Sequence, residues 1–130
     1  MKNLFKYTLV FLFSMGTTLF SAQISNAKTE TAKVYGNCGM CKKTIEKAIN
    51  QPDVVAATWD KNTKILTFTY DTQKTNRKAI LKKVADAGYD NELYRAGDVA
   101  YGKLHQCCQY KRPEGKHEEV THKGQTCEVQ

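Results

Sequence analysis

Two pairs of cysteines define the chemistry open to this chain. Cys38 and Cys41 stand in a Cys-Gly-Met-Cys segment, Cys107 adjoins Cys108, and the fifth cysteine, Cys127, stands alone. Thiolates are soft donors and select Cu(I), Hg(II) and Zn(II) over hard cations. Two thiols three residues apart close on one ion when the first lies on a loop and the second opens a helix. Gly36 and Gly39 give such a loop its conformational freedom. The unpaired N–H groups and positive dipole end of a helix start favour anionic sulfur at Cys41, and Lys42 and Lys43 add positive charge nearby. The same spacing serves disulfide oxidoreductases and structural disulfides, so three uses of the pair stand side by side.

The second cluster is His105, Cys107 and Cys108. On a helix, His105 and Cys108 are three apart and share a face. They would form an accessory soft-metal site, or swing against Cys38 and Cys41 to raise the coordination number. A packed short helix, or a disulfide to another thiol, is the plainer alternative. His117, His122 and Cys127 are spread among charged residues, and transient metal capture is the most such a tract suggests. No paired carboxylates, Gly-rich phosphate loop or Ser/His/Asp set stands at a catalytic spacing, and the chain reads as a binding protein rather than an enzyme.

The elements that position these residues are legible in outline. Lys33-Val34-Tyr35 is a short candidate strand entering the cysteine loop. From Lys42 the pattern turns helical, with Ile45, Ala48 and Ile49 sharing a face with Cys41, and Pro52 stops it. Residues 54–59 and 65–70 read as a hairpin across Asp60-Lys61-Asn62-Thr63. In its second strand Leu66, Phe68 and Tyr70 face one side, and Thr67 and Thr69 the other. Trp59 is expected partly exposed at the hairpin, and Glu46 on a helix surface. Thr75 or Asn76 caps a second helix with Ile80, Leu81, Val84 and Ala87 as its inner stripe, ended by Gly88 in a left-handed conformation. Residues 91–94 make a final strand. The order βαββαβ is the ferredoxin-like split βαβ arrangement, an α+β sandwich of four antiparallel strands under two helices. Asp98 begins a short third helix running through Tyr101, Leu104, His105 and Cys108, and residues 111–130 read as a mobile polar tail.

The N-terminus has the layout of a secretory signal: a basic start with Lys2 and Lys6, an apolar run over residues 7–20, then small and polar residues. The run falls short of the roughly 20 apolar residues of a spanning helix. Cleavage is expected after Ala22 or Ala27, giving a periplasmic or secreted bacterial protein. The whole chain has 20 basic and 13 acidic residues. Without Lys2 and Lys6 the balance is 18 against 13, with the basic residues scattered rather than gathered into a nucleic-acid footprint.

The segment from Lys33 to Arg95 resembles the heavy-metal-associated domain family. That family includes small copper chaperones, N-terminal domains of copper-transporting ATPases and periplasmic mercury-binding proteins. The resemblance rests on Cys38-Gly39-Met40-Cys41, the Lys-Lys-Thr-Ile-Glu-Lys-Ala-Ile helix after it, the strand from Lys64 to Asp71, and Ala87-Gly88-Tyr89-Asp90. It implies a domain over residues 30–96, followed by a Cys/His extension over residues 97–110. Metal would be held by Cys38 and Cys41, with Cu(I) first and Hg(II) or Zn(II) as variants, and Tyr89 would shield the site. It also implies a role in transfer or sequestration, with a metal-transporting ATPase or efflux component as partner. One departure stands out: the family places Gly-Met ahead of the first cysteine, where this chain has Tyr35-Gly36. The support beneath the loop must therefore differ, and Met40 is expected to sit exposed rather than to replace that methionine.

Overall fold

The computed structural model describes residues 26–115 and 118–119. The segment expected to be a signal peptide, both histidines of the tail (His117 and His122) and Cys127 lie outside the described residues. The elements are β1 (Ala27–Lys33), α1 (Gly39–Ala48), β2 (Val54–Trp59), β3 (Ile65–Asp71), α2 (Arg77–Asp86), β4 (Tyr94–Arg95), α3 (Asp98–Gly102), a 3₁₀ turn (Gln106–Cys108) and β5 (Glu118–Glu119).

The alternation of β3 makes it the centre of the sheet. Leu66, Phe68 and Tyr70 are buried on the helix-facing side while Thr67 is exposed. Burying each large apolar side chain contributes about 1.5–3 kcal/mol. β3 pairs antiparallel with both neighbours, in the order β1-β3-β2. β1 and β2 therefore run parallel with β3 between them and α1 as the crossover, which is the split βαβ unit of a ferredoxin-like α+β fold. α1 contributes Cys41 and Ile45 to the core, and α2 contributes Ile80, Leu81, Val84 and Ala85. Asn76 caps α2 by accepting the Ala79 N–H at 3.0 Å, and Gly88 leaves it at φ 101°, as its position suggested.

β1 starts earlier than the expected 33–35 segment. Most of its residues are exposed and only Ala32 is buried, so hydrophobic periodicity could not mark it. Its ladder runs from Ala27 opposite Asp71 to Lys33 opposite Ile65, with the Thr29 and Thr69 hydroxyls 2.8 Å apart. Edge pairing rather than burial holds it in place.

The expected fourth strand at 91–94 shrinks to one antiparallel bridge, Val34 opposite Asn91. The buried Asn91 side chain is the reason. Its Oδ1 accepts from the N–H groups of Leu93 and Tyr94, and its Nδ2 donates to the Leu81 carbonyl. Such local bonds compete with a ladder and turn the chain. Tyr94–Arg95 then pairs in parallel with Glu118–Glu119 in a separate two-stranded sheet.

Trp59, expected partly exposed, is fully buried, and its Nε1 donates to the Val34 carbonyl at 3.0 Å. Glu46 is more than helix surface. Its carboxylate accepts the Trp59 backbone N–H at 2.9 Å and pairs with Lys42, fastening α1 to the end of β2.

The expected third helix forms but stops at Gly102. His105 then caps the separate 3₁₀ turn, so His105 and Cys108 do not share a helix face. The residues just past 110 are held rather than free. The Arg112 guanidinium grips the buried Asp90 carboxylate with two bonds, 2.9 and 2.7 Å long, and Asp98 at 2.6 Å.

Candidate metal centre

The loop between β1 and α1 is built for close approach. A side-chain carbon on Gly36 would stand 3.1 Å from both the Trp59 indole and the Cys41 Cβ. The Trp59 indole thus packs directly beneath the loop. Lys64, at φ 61°, donates from Nζ to the Gly36 carbonyl at 2.6 Å and tethers the loop from the β2–β3 turn.

Cys38 is the N-cap of α1, and Cys41 is the third helical residue. The pair forms a sulfur version of the capping box. Cys41 Sγ accepts from the N–H groups of Asn37 at 3.3 Å and Cys38 at 3.4 Å. The Cys41 backbone N–H, facing the Cys38 sulfur, is the main cause that pulls the Cys38 thiol down to about 6, with the Cys107 thiol a further contributor. Cys38 is half-buried, Cys41 fully buried.

The extension carries its own cysteines onto this loop. Cys38 Sγ lies 3.6 Å from Cys41 Sγ, 3.3 Å from Cys107 Sγ and 3.7 Å from Cys108 Sγ. The sulfurs of Cys38, Cys41 and Cys108 all lie within 4.8 Å of one another. All four cysteines are free thiols. Burial pushes the Cys108 thiol up, with Cys41 acting in the same direction. The Cys107 thiol is raised chiefly by its contact with Cys38. His105 is exposed and outside the compact group, so of the three accessory candidates the structure joins Cys107 and Cys108 to the primary pair. Met40 is 47% exposed, as expected, yet its Sδ is 3.7 Å from Cys107 Sγ.

Tyr89 lies beside this cluster, next to Cys108. It is fully buried, its phenol is pushed up by burial and next by the adjacent Cys108, and its hydroxyl makes no hydrogen bond of good geometry.

Three residues that sequence reasoning passed over hold the extension in place. Tyr110 stacks between Tyr35 and Tyr89, with centroids at 6.4 and 6.1 Å. Its hydroxyl accepts the Asp90 N–H at 2.6 Å and donates to the Gly88 carbonyl at 3.0 Å. Tyr101 meets it edge-on at 5.2 Å and donates to its carbonyl at 2.6 Å. Arg112 covers the Tyr101 ring. A signal was present: Cys108, Tyr110 and Arg112 alternate with exposed Gln109 and Lys111, the period of an extended segment with one inward face.

The donor set is sulfur throughout, which suits a soft cation and not a hard one. Residues 37–90 match the model of the heavy-metal-associated domain. A comparison with curated proteins returns no match. Among solved structures, the chain is similar to a CopZ metallochaperone, with 29% identity over 49% of this chain and 98% of that one, at a TM-score of 0.47. It is also similar to oxidized MerP from Ralstonia metallidurans, with 32% identity over 51% of this chain and 94% of that one, at a TM-score of 0.48. A third is the N-terminal domain of a zinc(II) ATPase in its apo form, with 27% identity over 79% and 93% of the respective chains, at a TM-score of 0.43. The chain contains a heavy-metal-associated domain, and the cysteine pair of that domain is Cys38 and Cys41.

Proposed function

We propose that this is an exported binding protein that carries Cu(I) as cargo on the thiolates of Cys38, Cys41 and Cys108, for transfer or sequestration in metal homeostasis or resistance. One observation carries the reading: three cysteine sulfurs from two separate segments converge within 4.8 Å of one another. Three soft donors in a part-buried pocket match a soft cation of low coordination number. The buried Tyr89 hydroxyl supports it, because a metal-bound Cys108 thiolate is the acceptor that this hydroxyl otherwise lacks. Cys38, half-buried at the loop, is where an incoming ligand from a partner attacks, and a metal-transporting ATPase or an efflux component with thiol or Met ligands is the fitting partner. Hg(II) and Zn(II) are the competing cargoes, and the signal-like N-terminus supports export to a periplasm or beyond.

The test is an anaerobic titration of the reduced protein with Cu(I) against a chromophoric chelator, repeated with Hg(II) and Zn(II). Tight Cu(I) binding is expected. It should be lost in the Cys38→Ser, Cys41→Ser double variant and weakened in Cys108→Ser. Affinity for Cu(I) no better than that of an unstructured thiol peptide would overturn the reading.

A second reading has its own observation. Cys38, lowered to about 6, has sulfurs at 3.3 and 3.6 Å ready to resolve a mixed disulfide, as a thiol–disulfide oxidoreductase requires. Reduction of a disulfide substrate at no more than the glutathione rate removes this alternative.

A further inference from the structure

The sulfur atoms of the site form two triangles that share an edge. The inner one is Cys38, Cys41 and Cys108, within 4.8 Å of one another. The outer one is Cys38, Cys107 and Cys108, with sides of 3.3, 3.7 and 3.9 Å. The shared edge is Cys38 to Cys108. A metal–thiolate bond of about 2.3 Å places the sulfurs of a trigonal ion about 4 Å apart, so each triangle has the dimensions of a three-coordinate site. A single ion on the inner triangle leaves Cys107 unused, although its sulfur is 3.3 Å from Cys38 and 3.7 Å from the Met40 thioether.

Resting on the reading that the cargo is Cu(I), we propose that the site holds two ions in one chain. One lies on the inner triangle and one on the outer, with the Cys38 and Cys108 thiolates bridging and Met40 at the rim of the outer ion. A thiolate sulfur keeps lone pairs after binding one ion, so bridging asks for no additional ligand. Charge favours it as well. Four thiolates around one monovalent ion leave three negative charges in a part-buried pocket, and a second ion leaves two. Each cysteine that enters as a thiol releases its proton to solvent, and no electron is transferred. The outer ion, bound through exposed Cys107 and Met40, is the more readily exchanged.

Native mass spectrometry of the reduced protein, titrated anaerobically with Cu(I), reads the stoichiometry directly. The expected result is two ions per monomer, with a short copper–copper scattering path in the X-ray absorption spectrum. Cys107→Ser should hold one ion, lose that path and keep the tightness of the first ion within about threefold. Circular dichroism confirms that this variant is folded, and Met40→Leu is expected to weaken only the second ion. A plateau at one ion per monomer overturns the two-ion site while leaving Cu(I) carriage intact. Two ions retained by Cys107→Ser, or two ions found only in a dimer, overturn it equally. Failure to retain any ion overturns Cu(I) carriage itself.

Discussion

At the residue scale, the four thiols are unequal, and the inequality follows from where each one sits. Cys38 receives the Cys41 N–H at the start of α1 and is drawn down to about 6, whereas Cys108 is buried and pushed up. In the metal-free protein, alkylation of Cys38 should therefore rise through about pH 6, well before that of an ordinary thiol. A Cys38 rate that climbs only in the usual thiol range would contradict this. The linkage has a definite sign. A lowered folded-state value means the Cys38 thiolate stabilises the fold above the ordinary thiol range, and this contribution is lost as pH falls through about 6. Metal uptake is expected to release protons from Cys107 and Cys108, so affinity should weaken as pH falls; proton release measured in weakly buffered solution checks it. Tyr89 gives a second test. Tyr89→Phe removes a buried hydroxyl without a good partner, which relieves up to about 1–3 kcal/mol of desolvation cost. The variant should be as stable as the parent or more so when metal-free, yet bind Cu(I) more weakly.

At the scale of elements, the extension is held by a small number of contacts around Asp90 and Tyr110. Asp90 is fully buried; its carboxylate is bonded to Arg112 and the Ala96 N–H, and its own N–H donates to the Tyr110 hydroxyl. Removing one partner of a buried ion pair costs about 3–5 kcal/mol, so Arg112→Ala should lower the midpoint of thermal unfolding by several degrees. It should also release Cys107 and Cys108 from the loop, reducing Cu(I) binding to that of the Cys38–Cys41 pair. Arg112→Ala that lost stability but kept the parent's metal stoichiometry and tightness would show the clamp to be irrelevant to the site. The loop has its own sensitive point. Gly36→Ala places a carbon 3.1 Å from both the Trp59 indole and the Cys41 Cβ, and overpacking of this kind costs typically about 1–3 kcal/mol. A chemical denaturation midpoint unchanged by Gly36→Ala would contradict the tight seat assigned to that loop.

At the scale of the whole molecule, β1 bears on where the chain is cut. The strand begins at Ala27, and the Asn26 carbonyl just before it accepts two bonds from Thr72, from N–H at 3.1 Å and Oγ1 at 3.2 Å. Cleavage after Ala22 keeps this edge whole, whereas cleavage after Ala27 removes the Asn26 acceptor and the strand's first residue. Under the proposed export, N-terminal sequencing of the processed chain is therefore expected to begin at Gln23; a start at Lys28 would show that the first rungs of β1 are dispensable.

Much of this architecture was legible before any coordinates. The alternation of Leu66, Phe68 and Tyr70, the helical stripes of Ile45 and Ile49 and of Ile80, Leu81 and Val84, and the stop at Gly88 are local patterns whose period reports directly on burial. They determined the α+β order, and the Cys38–Cys41 spacing determined that a soft cation or a redox reaction was the chemistry to test. Other features had no local signature. β1 is an edge strand with almost no apolar content, Asn91 replaces a strand by bonding the backbone of Leu93 and Tyr94, and Trp59 is buried because a glycine lets the cysteine loop lie on it. The partnership between Cys38 and the Cys107–Cys108 pair, about seventy positions away in sequence, was only one of the open alternatives. Spacing along a chain fixes only which neighbours share a face within one element. Which distant segments meet depends on the stacking of Tyr110 between Tyr35 and Tyr89 and on the Arg112–Asp90 pair. That packing exists only once the sheet and both helices have formed the surface on which the extension lies.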